Sequence, residues 1–427
     1  MTWNAGDTLF VHSKFRVEKI SFRASKEWLF TQGSIQHNDG SFFNITGYFW
    51  QTPDGTITIQ PMIEQREIGI LGFILLQHEN EPELLVQAKI EPGNVGVVQL
   101  APSCQATDSN GNRAHGGEKP PYLDWFTSQN YLKLYDSMQS EQGTRFLGKQ
   151  NRNMIIQIDE QFEPLQSHRW LPVTKMLEFL KFSNLVNTDA RSVLVCSPWE
   201  KLAQRKPFTL FHGDWENDLF HSSCVSGKFI TTNNLISIIN KLRKGIKSGV
   251  PIPLNKMTGW IITEDSIKPI DQKPYQVIQV KVKAIGREVP QWDQPMIQSY
   301  GKGRVVLACG RSAGILHFLF QAQIEPGLFN SVELGPTLIV EPGNDNDNPM
   351  IENLFKGSLM ANVEQSDEGG RFFRDVTQYQ VVDLGSTFQS PENYWWLSLK
   401  QVRFLLGSPG WFSNESRSVL SLLLTWL

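Results

Sequence analysis

Short apolar segments separated by turn-forming residues dominate the first half of the chain. Runs rich in Val, Ile and Leu predict strands at Gly69–Leu76, Glu83–Ile90, 95–100 and 154–158. Residues 79–82 and 92–93 contain Pro, Gly or Asn and predict turns between the first three strands. At 171–182 the apolar residues are instead three or four positions apart, which predicts a helix. Strands followed by a helix indicate an α+β fold rather than a series of βαβ units.

The two longest apolar runs, 68–76 and 419–427, are interrupted by small or polar residues. Each is about half as long as a helix that crosses a bilayer. We interpret the first as a core strand and the second as a packed C-terminal helix. The first ten residues include Asp7 and do not join a basic segment to an apolar one, as a secretory signal would. We therefore expect no membrane association.

The chain repeats its own sequence, in the same order, across most of its length. Residues 60–63, QPMI, recur at 294–297, and residues 87–93, QAKIEPG, recur as QAQIEPG at 321–327, both at an offset of 234. Single residues match outside these segments, at offsets of 232 or 226: Trp28 with Trp260, Trp170 with Trp396, and Arg191 with Arg417. An ordered series of matches predicts a tandem duplication of one domain.

The matches divide the chain into a first copy, residues 1–205, a connecting region, 206–244, and a second copy, 245–427. We expect the two copies to share one α+β fold, with Glu91 superimposed on Glu325. Apolar residues at helical spacing near 234–247 predict an amphipathic helix between the copies. The basic residues of this helix are more typical of a solvated face than of a binding surface.

The two copies differ in a loop and in two side chains. The fall in offset from 234 to 226 gives the first copy eight extra residues between Ser103 and Gln139, in a polar, glycine-rich stretch at 105–117. In the adjacent repeated segment, Lys89 of the first copy is replaced by Gln323 and Asn94 by Leu328. Loops on a rigid scaffold commonly carry function. We therefore expect the first copy to hold the working site and the second to be degenerate.

Composition and charge exclude several classes of protein. Hydrophobic residues make up 40% and charged residues 19% of the 427 residues, which indicates a folded chain with sizeable cores. The net charge of −3 makes nucleic acid an unexpected partner. The four cysteines form no CxxC pair, which disfavours a zinc site or a disulfide scaffold and fits the reducing cytoplasm.

The sequence contains no motif of common cofactor or metal chemistry. We find no GxxxxGK[ST] loop and no HExxH pair, and the GKG at 301–303 lacks the third glycine of a dinucleotide fingerprint. The acidic stretch at 345–348 lacks the glycine and glutamate of a calcium loop. We therefore predict no cofactor and no metal.

Four segments carry a resemblance to a known family. They are 85–94, 98–107, 139–146 and 151–154, and they read LVQAKIEPGN, VQLAPSCQAT, QSEQGTRF and NRNM. These strings resemble the NDP-hexose 2,3-dehydratases of deoxysugar biosynthesis, and the resemblance covers nearly the whole chain. The second copy departs from the pattern at 338–340, where LIV replaces a polar string.

The resemblance implies a fold, a reaction and partners. The expected substrate is an NDP-4-keto-6-deoxyhexose, usually linked to thymidine diphosphate, which loses water across C2 and C3 to give a 3,4-diketo-2,6-dideoxy sugar. It also implies a homodimer, a downstream 3-ketoreductase and two modules that are similar to Nudix folds. The REx₂EE core of a Nudix box is absent from the sequence.

The implied chemistry needs a base for the C3 proton, donors facing the C4 oxygen and an acid for the leaving C2 hydroxyl. Glu91, Lys89 and His115 are the catalytic candidates, and which of them is the base stays open. Glu91 has an alternative structural role in the turn, because Glu325 repeats it. The substrate-binding candidates are Gln87, Asn94, Gln99, Gln105, Thr107, Arg113, Tyr122, Arg145 and Arg152.

Two groups of these candidates have competing interpretations. Arg145 recurs as Arg371, so this pair either binds the diphosphate or forms structural ion pairs. Tyr122 either stacks on the nucleotide base or belongs to the core. Two other functions also remain open for the whole chain: a non-catalytic nucleotide-sugar binding protein built from two modules, and a structural repeat protein.

Overall fold

The computed structural model describes residues 15–78, 81–96, 98–107, 119–210, 213–271, 274–284, 289–343, 354 and 356–427. The described residues of each copy form twelve strands that follow one another in the same order. In the first copy they are β1 Phe15–Ile20, β2 Trp28–Phe30, β3 Ser34–His37, β4 Asn44–Gln51, β5 Ile57–Glu64, β6 Gly69–Leu76, β7 Glu83–Ile90, β8 Val98–Ala101, β9 Cys104–Ala106, β10 Leu132–Ser140, β11 Gln150–Ile158 and β12 His168–Pro172.

The second copy repeats this series strand for strand. Its strands are β13 Val250–Ile252, β14 Trp260–Ile262, β15 Ser266–Pro269, β16 Tyr275–Ala284, β17 Gln291–Ser299, β18 Lys302–Ser312, β19 Ile315–Ile324, β20 Val332–Gly335, β21 Leu338–Val340, β22 Ser358–Ser366, β23 Val376–Ser386 and β24 Tyr394–Leu397. The register of strand pairing is also repeated: Trp170 pairs with Leu85, and at the equivalent positions of the second copy Trp396 pairs with Leu319. The expected duplication of one mixed fold is confirmed.

Each copy has a seven-stranded sheet with one parallel pair. In the first copy the order is β10-β11-β6-β7-β12, with β8 beside β7 and β9 beside β6, and β11 runs parallel to β6. The second copy has the equivalent order β22-β23-β18-β19-β24, with β20 beside β19, β21 beside β18 and a parallel β18–β23 pair. The Glu83–Ile90 strand leads directly into the turn that holds Glu91, so this sheet positions the candidate site.

The two five-stranded sheets exchange their first strands. β1 of the first copy pairs antiparallel with β16 of the second, from Phe15 opposite Ala284 to Ile20 opposite Gln279. Reciprocally, β13 of the second copy pairs with β4 of the first. Each sheet therefore contains one strand from the other copy, and the two copies form one interlocked body.

Helices cover the sheets and join the copies. They are α1 Leu123–Thr127, α2 Val173–Glu178, α3 Thr188–Cys196, α4 Trp199–Ala203, α5 Asp214–Cys224, α6 Thr232–Gly245, α7 Leu399–Leu406 and α8 Asn414–Ser421, with short 3₁₀ turns at Phe22–Ala24, Phe179–Lys181, Leu254–Lys256 and Leu422–Trp426. The equivalent helices α3 and α8 are buried along their whole length and pack against each other.

Buried arginines of these two helices bind the opposite copy. Arg191 donates to the Ser366 carbonyl at 3.1 Å, and Arg417 donates to the Ser192 hydroxyl at 2.8 Å. A buried guanidinium is tolerated only when it is hydrogen-bonded, so these contacts explain why both copies keep the arginine. One apolar core runs through α3, α8 and both large sheets.

Several predicted elements differ at their ends. The predicted helix at 171–182 begins at Val173, because Leu171 and Pro172 still pair with β7. The strand predicted at 95–100 is β8 at Val98–Ala101, since Gly96 occupies a turn with a φ of +76°. The predicted helix at 234–247 is α6, and its Arg243 is half-buried and donates to the Val332 carbonyl at 2.9 Å.

Candidate functional site

The turn after β7 meets a loop of the opposite copy. The Gly93 amide donates to the Gly369 carbonyl at 2.7 Å, and the Arg374 amide donates to the Gly93 carbonyl at 2.9 Å. A Cβ on Gly93 would lie only 1.6 Å from the Phe372 carbonyl oxygen, so no other residue allows this approach. Loop 367–374 of the second copy is thereby fixed beside Glu91.

The reciprocal contact is also formed. The Gly327 amide donates to the Gly143 carbonyl at 2.8 Å, and a Cβ on Gly327 would lie 1.7 Å from the Phe146 carbonyl oxygen. Loop 141–148 of the first copy therefore lies beside Glu325. We call the cluster around Lys89 and Glu91 the first-copy site, and the cluster around Gln323 and Glu325 the second-copy site; each contains residues of both copies.

Three of the predicted residues form a hydrogen-bonded group in the first-copy site. Lys89 Nζ lies 3.3 Å from Glu91 Oε1, and Gln105 Nε2 donates to the same oxygen at 3.3 Å. Asn187, at the start of α3, donates to Gln105 Oε1 at 3.2 Å. The Lys89 and Glu91 side chains are 19% and 11% exposed, so most of their surface is buried while a part of each remains accessible.

Further carboxylates surround this group. Glu141 accepts from Asn151 Nδ2 at 2.5 Å and from Asn414 Nδ2 at 3.2 Å, and burial raises its pKa above the ordinary range against the opposing charge of Arg417. Burial also raises the pKa of Asp189 well above its usual value, and the neighbouring charge of Glu141 adds to the effect. Burial therefore favours the protonated form of both carboxyl groups.

Two further cations complete the first-copy site. Lys149 donates to the Glu67 carbonyl, and burial lowers its pKa although Glu141 opposes the shift. Arg371 comes from the opposite copy; its guanidinium lies 4.2 Å from the Phe43 ring centre, and it donates to Gln65 Oε1 at 3.4 Å. The site thus combines ammonium, guanidinium and carboxylate groups within a largely buried volume.

The second-copy site has a different charge. It adjoins a pocket of about 460 Å³, open mouth included, whose lining contains Arg145 and the carboxylates of Glu341, Asp367, Asp375 and Glu415. Burial raises the pKa of Asp367 to about 8 and that of Asp375 to about 6.

Sequence offsets pair the charged positions of the two sites. The first-copy site has three cations, Lys89, Lys149 and Arg371, against four carboxylates, Glu91, Glu141, Asp189 and Glu368. At the positions equivalent to these seven the second-copy site has one arginine, Arg145, against four carboxylates, Glu325, Asp367, Asp375 and Glu415, and Glu341 adds a fifth carboxylate. The first-copy site is therefore the better match for an anionic ligand.

Four other predicted residues lie near the first-copy site. Gln87 and Lys89 share one face of β7, since alternate residues of a strand point the same way. Asn94 donates to the Lys89 carbonyl at 3.3 Å. Thr107 follows β9 at the position equivalent to Glu341. Gln99 is buried between the copies and donates to the Asn184 carbonyl at 3.0 Å.

Three predicted binding residues lie elsewhere. Arg152 points to the opposite face of β11 from Asn151 and forms two 2.6 Å hydrogen bonds with Asp136. Tyr122 packs against Trp125 and His168, so the core interpretation is the one that its contacts support.

Arg145 lies in the second-copy site, where it pairs with Glu341 at 2.7 Å and its guanidinium is 4.1 Å from the Tyr275 ring centre. The loop exchange causes this placement, because it carries Arg145 out of its own copy and brings Arg371 into the first-copy site. The remaining predicted residues, Arg113 and His115, are outside the described residues.

Four groups of the first-copy site were missed by the sequence analysis, Glu141, Lys149, Asp189 and Glu368, and Arg371 had been considered only as the repeat of Arg145. Glu141 lies within residues 139–146, one of the four segments that carry the family resemblance, and this position was the signal in the sequence that could have identified it. Among the residues that the structure describes, no group of three or more His, Cys, Asp or Glu side chains has an arrangement that could hold a metal ion.

A cluster of carboxylates and amines with shifted pKa values is typical of an enzyme that moves protons. Comparison with known proteins supplies the family. The NDP-hexose 2,3-dehydratase family matches residues 7–197 and again 232–423. The chain belongs to this family, and the two matches correspond to its two copies.

Named relatives agree with this assignment. The chain is 33% identical to a dTDP-4-dehydro-6-deoxy-alpha-D-glucopyranose 2,3-dehydratase of Saccharopolyspora spinosa, over 96% of this chain and 88% of the relative. It is also 33% identical to a protein of the same name from Streptomyces violaceoruber, over 91% and 88% of the two chains. No described helix is both long and apolar enough to cross a membrane.

Proposed function

We propose that this protein removes water across C2 and C3 of a dTDP-linked 4-keto-6-deoxyhexose, giving a 3,4-diketo-2,6-dideoxyhexose, and that the reaction takes place in the first-copy site. The family and the printed names of the relatives support the reaction. The observation that carries the location is the contact of Lys89 with Glu91, because the second copy keeps the carboxylate as Glu325 but has Gln323 in place of the lysine.

The reaction begins with removal of the C3 proton. This proton is acidic because the C4 ketone accepts the electron pair as an enolate, so no redox cofactor is needed. Glu91 is the base that the described residues support best, since its carboxylate accepts from both Lys89 and Gln105 and is 11% exposed. His115, in the loop that the first copy alone carries, is the other candidate.

Negative charge then develops on the C4 oxygen. Donors held in a largely buried site stabilise such charge strongly, because they are already oriented before the reaction. Lys89 and Gln105 are such donors, and both are fixed by neighbouring groups. When the enolate collapses, the C2–O bond breaks, an acid protonates the departing hydroxyl, and the enol product tautomerises to the diketone.

The cations of the first-copy site suit the diphosphate. We propose that Arg371, rather than Arg145, binds it, because Arg371 is the arginine that loop 367–374 brings beside Glu91. A guanidinium can bind phosphate oxygens through two parallel hydrogen bonds. The five carboxylates of the second-copy site make that site a poorer match for the same anion.

Paired substitutions at equivalent positions test the location. Lys89→Ala should lower turnover of the 4-keto sugar nucleotide by about two to four orders of magnitude, the usual contribution of an acid–base group. Gln323→Ala should change it far less. Equal losses in the two variants would place the reaction in the second copy. Binding of the nucleotide sugar without any turnover by the wild type would instead favour a non-catalytic binding protein.

We also propose the wider properties that the resemblance implies. Each copy is a Nudix-like module that has lost its metal-binding motif, and the parallel strand pair in each large sheet is consistent with such a mixed fold. The protein acts in the cytoplasm as a homodimer, and its four free cysteines fit a reducing compartment. A 3-ketoreductase consumes the product, because a vicinal diketone is too reactive to accumulate.

A further inference from the structure

The first-copy site contains a carboxylate that belongs to the other copy. Glu368 lies next to Gly369, whose carbonyl accepts from Gly93, and Glu91 is two residues before Gly93. The Glu368 carboxylate accepts from the Gly370 amide at 3.1 Å. A Cβ on Gly369 would lie 2.0 Å from Asn94 Oδ1, so the loop has little freedom to withdraw.

The charges around Glu368 are those of the first-copy site. Burial and the neighbouring carboxylate of Glu91 raise its pKa to about 7, against the opposing charge of Arg371. At neutral pH a substantial fraction of Glu368 therefore carries a proton. Glu91, in contrast, accepts in its contacts with Lys89 and Gln105, which is the hydrogen-bonding pattern of an ionised carboxylate.

Two adjacent carboxyl groups in different protonation states form an acid–base pair. An elimination needs such a pair, since one group takes a proton from carbon and the other gives a proton to the leaving oxygen. We propose that Glu368, supplied by the second copy, is the general acid that protonates the C2 hydroxyl as it leaves. This inference rests on the proposed function and leaves Lys89 to face the C4 oxygen.

Comparison of the two copies supports the assignment. At an offset of 226 the counterpart of Glu368 is Gln142, which lines the second-copy pocket and donates to Asp367 Oδ1 at 3.0 Å. Glutamine has the shape of glutamate but has no acidic proton to give. Of the three groups Lys89, Glu91 and Glu368, the second-copy site therefore keeps only the equivalent of Glu91, as Glu325.

The proton balance closes over one turnover. Glu91 takes the C3 proton, and the C3–H electron pair forms the enolate with C4. The enolate then reforms the ketone as the C2–C3 double bond forms, the C2–O bond breaks, and the Glu368 carboxyl proton leaves with the hydroxyl as water. The C3 hydroxyl of the resulting enol returns a proton to Glu368, and C2 takes a proton from Glu91 after that carboxyl has exchanged with water.

The test separates the two proton transfers. Wild type and variants are incubated in D₂O with the 4-keto-6-deoxy sugar nucleotide. The amount of diketo product measures elimination, and the deuterium at C3 of the recovered substrate measures exchange of the C3 proton. Glu368→Gln should lower elimination about 100-fold or more, the range expected for a lost general acid. Exchange at C3 should stay within a few-fold of wild type, because it requires only the base.

Four comparisons make the result decisive. Gln142→Ala, the matched change in the other loop, should leave both rates near wild type, and Glu91→Gln should abolish both. Glu368→Asp keeps an acid and should recover part of the elimination lost in Glu368→Gln. Wild-type elimination should fall as the pH rises above about 7, and this alkaline decline should disappear in Glu368→Gln.

Two outcomes would overturn the inference. One is elimination by Glu368→Gln at the rate of the wild type. The other is a parallel loss of elimination and of C3 exchange in both Glu368→Gln and Glu368→Asp, which would indicate a structural role for Glu368. Failure of the proposed function is distinct, because the wild type itself would then neither consume the substrate nor exchange its C3 proton.

Discussion

Replacement of Gly93 by alanine should destabilise the protein and remove loop 367–374 from the first-copy site. The added Cβ would lie 1.6 Å from the Phe372 carbonyl oxygen and 2.9 Å from that of Gly369, and backbone atoms cannot turn aside as a side chain can. The loop must move, which breaks the hydrogen bonds from Gly93 to Gly369 and from Arg374 to Gly93. Overpacking and two lost hydrogen bonds together cost about 2–4 kcal/mol.

The same displacement should reduce activity in the folded fraction. Glu368 and Arg371 both belong to the displaced loop, so the variant loses the proposed acid and the proposed diphosphate ligand together. We expect turnover at least 100-fold below wild type under conditions where the variant is fully folded. Urea unfolding followed by tryptophan fluorescence gives the stability, and initial rates of substrate loss give the activity.

Gly327→Ala is the matched control, because its Cβ would lie 1.7 Å from the Phe146 carbonyl oxygen. Its cost in unfolding free energy should be similar. The loop that it displaces carries Gln142 and Arg145, however, so its turnover should fall far less. Equal loss of activity in the two folded variants would refute the assignment of loop 367–374 to the catalytic site, and wild-type stability in both would refute the packing argument.

Three further predictions follow from particular contacts. Arg371→Ala should raise KM for the sugar nucleotide about tenfold or more, as expected when a charged contact of about 1.5–3 kcal/mol is lost. Arg152→Ala should change steady-state kinetics less than about threefold, since Arg152 pairs with Asp136 on the opposite face of the sheet. Similar KM values in the two variants would contradict the placement of Arg371 at the diphosphate. The pKa of Asp367 is raised by burial from 3.8 to about 8, so between these pH values the folded state binds more protons than the unfolded state, and stability falls as the pH rises. The urea midpoint of Asp367→Asn should therefore increase relative to that of wild type from pH 5 to pH 8. A constant difference between the two midpoints would contradict the raised pKa. Turnover should survive dialysis and chelators, and a strict requirement for NAD or a divalent metal would exclude the proposed elimination.

The sequence predicted the fold of each copy better than the relation between the copies. Strands β6 and β7 were predicted with their observed bounds, and the repeated matches correctly indicated equivalent positions such as Trp170 and Trp396. Nothing in a tandem repeat says whether a segment pairs within its own copy or with the other one. The exchange of β1 and β13 is settled by packing across the two copies, which no local pattern reports.

The same exchange limited the prediction of the site. Lys89, Glu91 and Gln105 were identifiable because they lie close together in sequence and on one sheet, and the structure brings them into contact. Glu368 and Arg371 lie more than 260 positions away in the sequence, and only the close approach of Gly93 to Gly369 reveals that they share the site. Arg145, a candidate for binding the diphosphate, lies away from Lys89 and Glu91 for the same reason, since its loop crosses to the second-copy site.

Measuring the release of the C3 hydrogen tests most directly the central claim, which is C3 deprotonation in the first-copy site. Substrate deuterated at C3 should lose its label to water in proportion to the diketo sugar formed, in wild type and in Gln323→Ala, and Lys89→Ala should lower this release by about two orders of magnitude or more. Diketo sugar that keeps the full label at C2 would contradict exchange of the Glu91 carboxyl with water, and equal release by Lys89→Ala and wild type would contradict C3 deprotonation in the first-copy site.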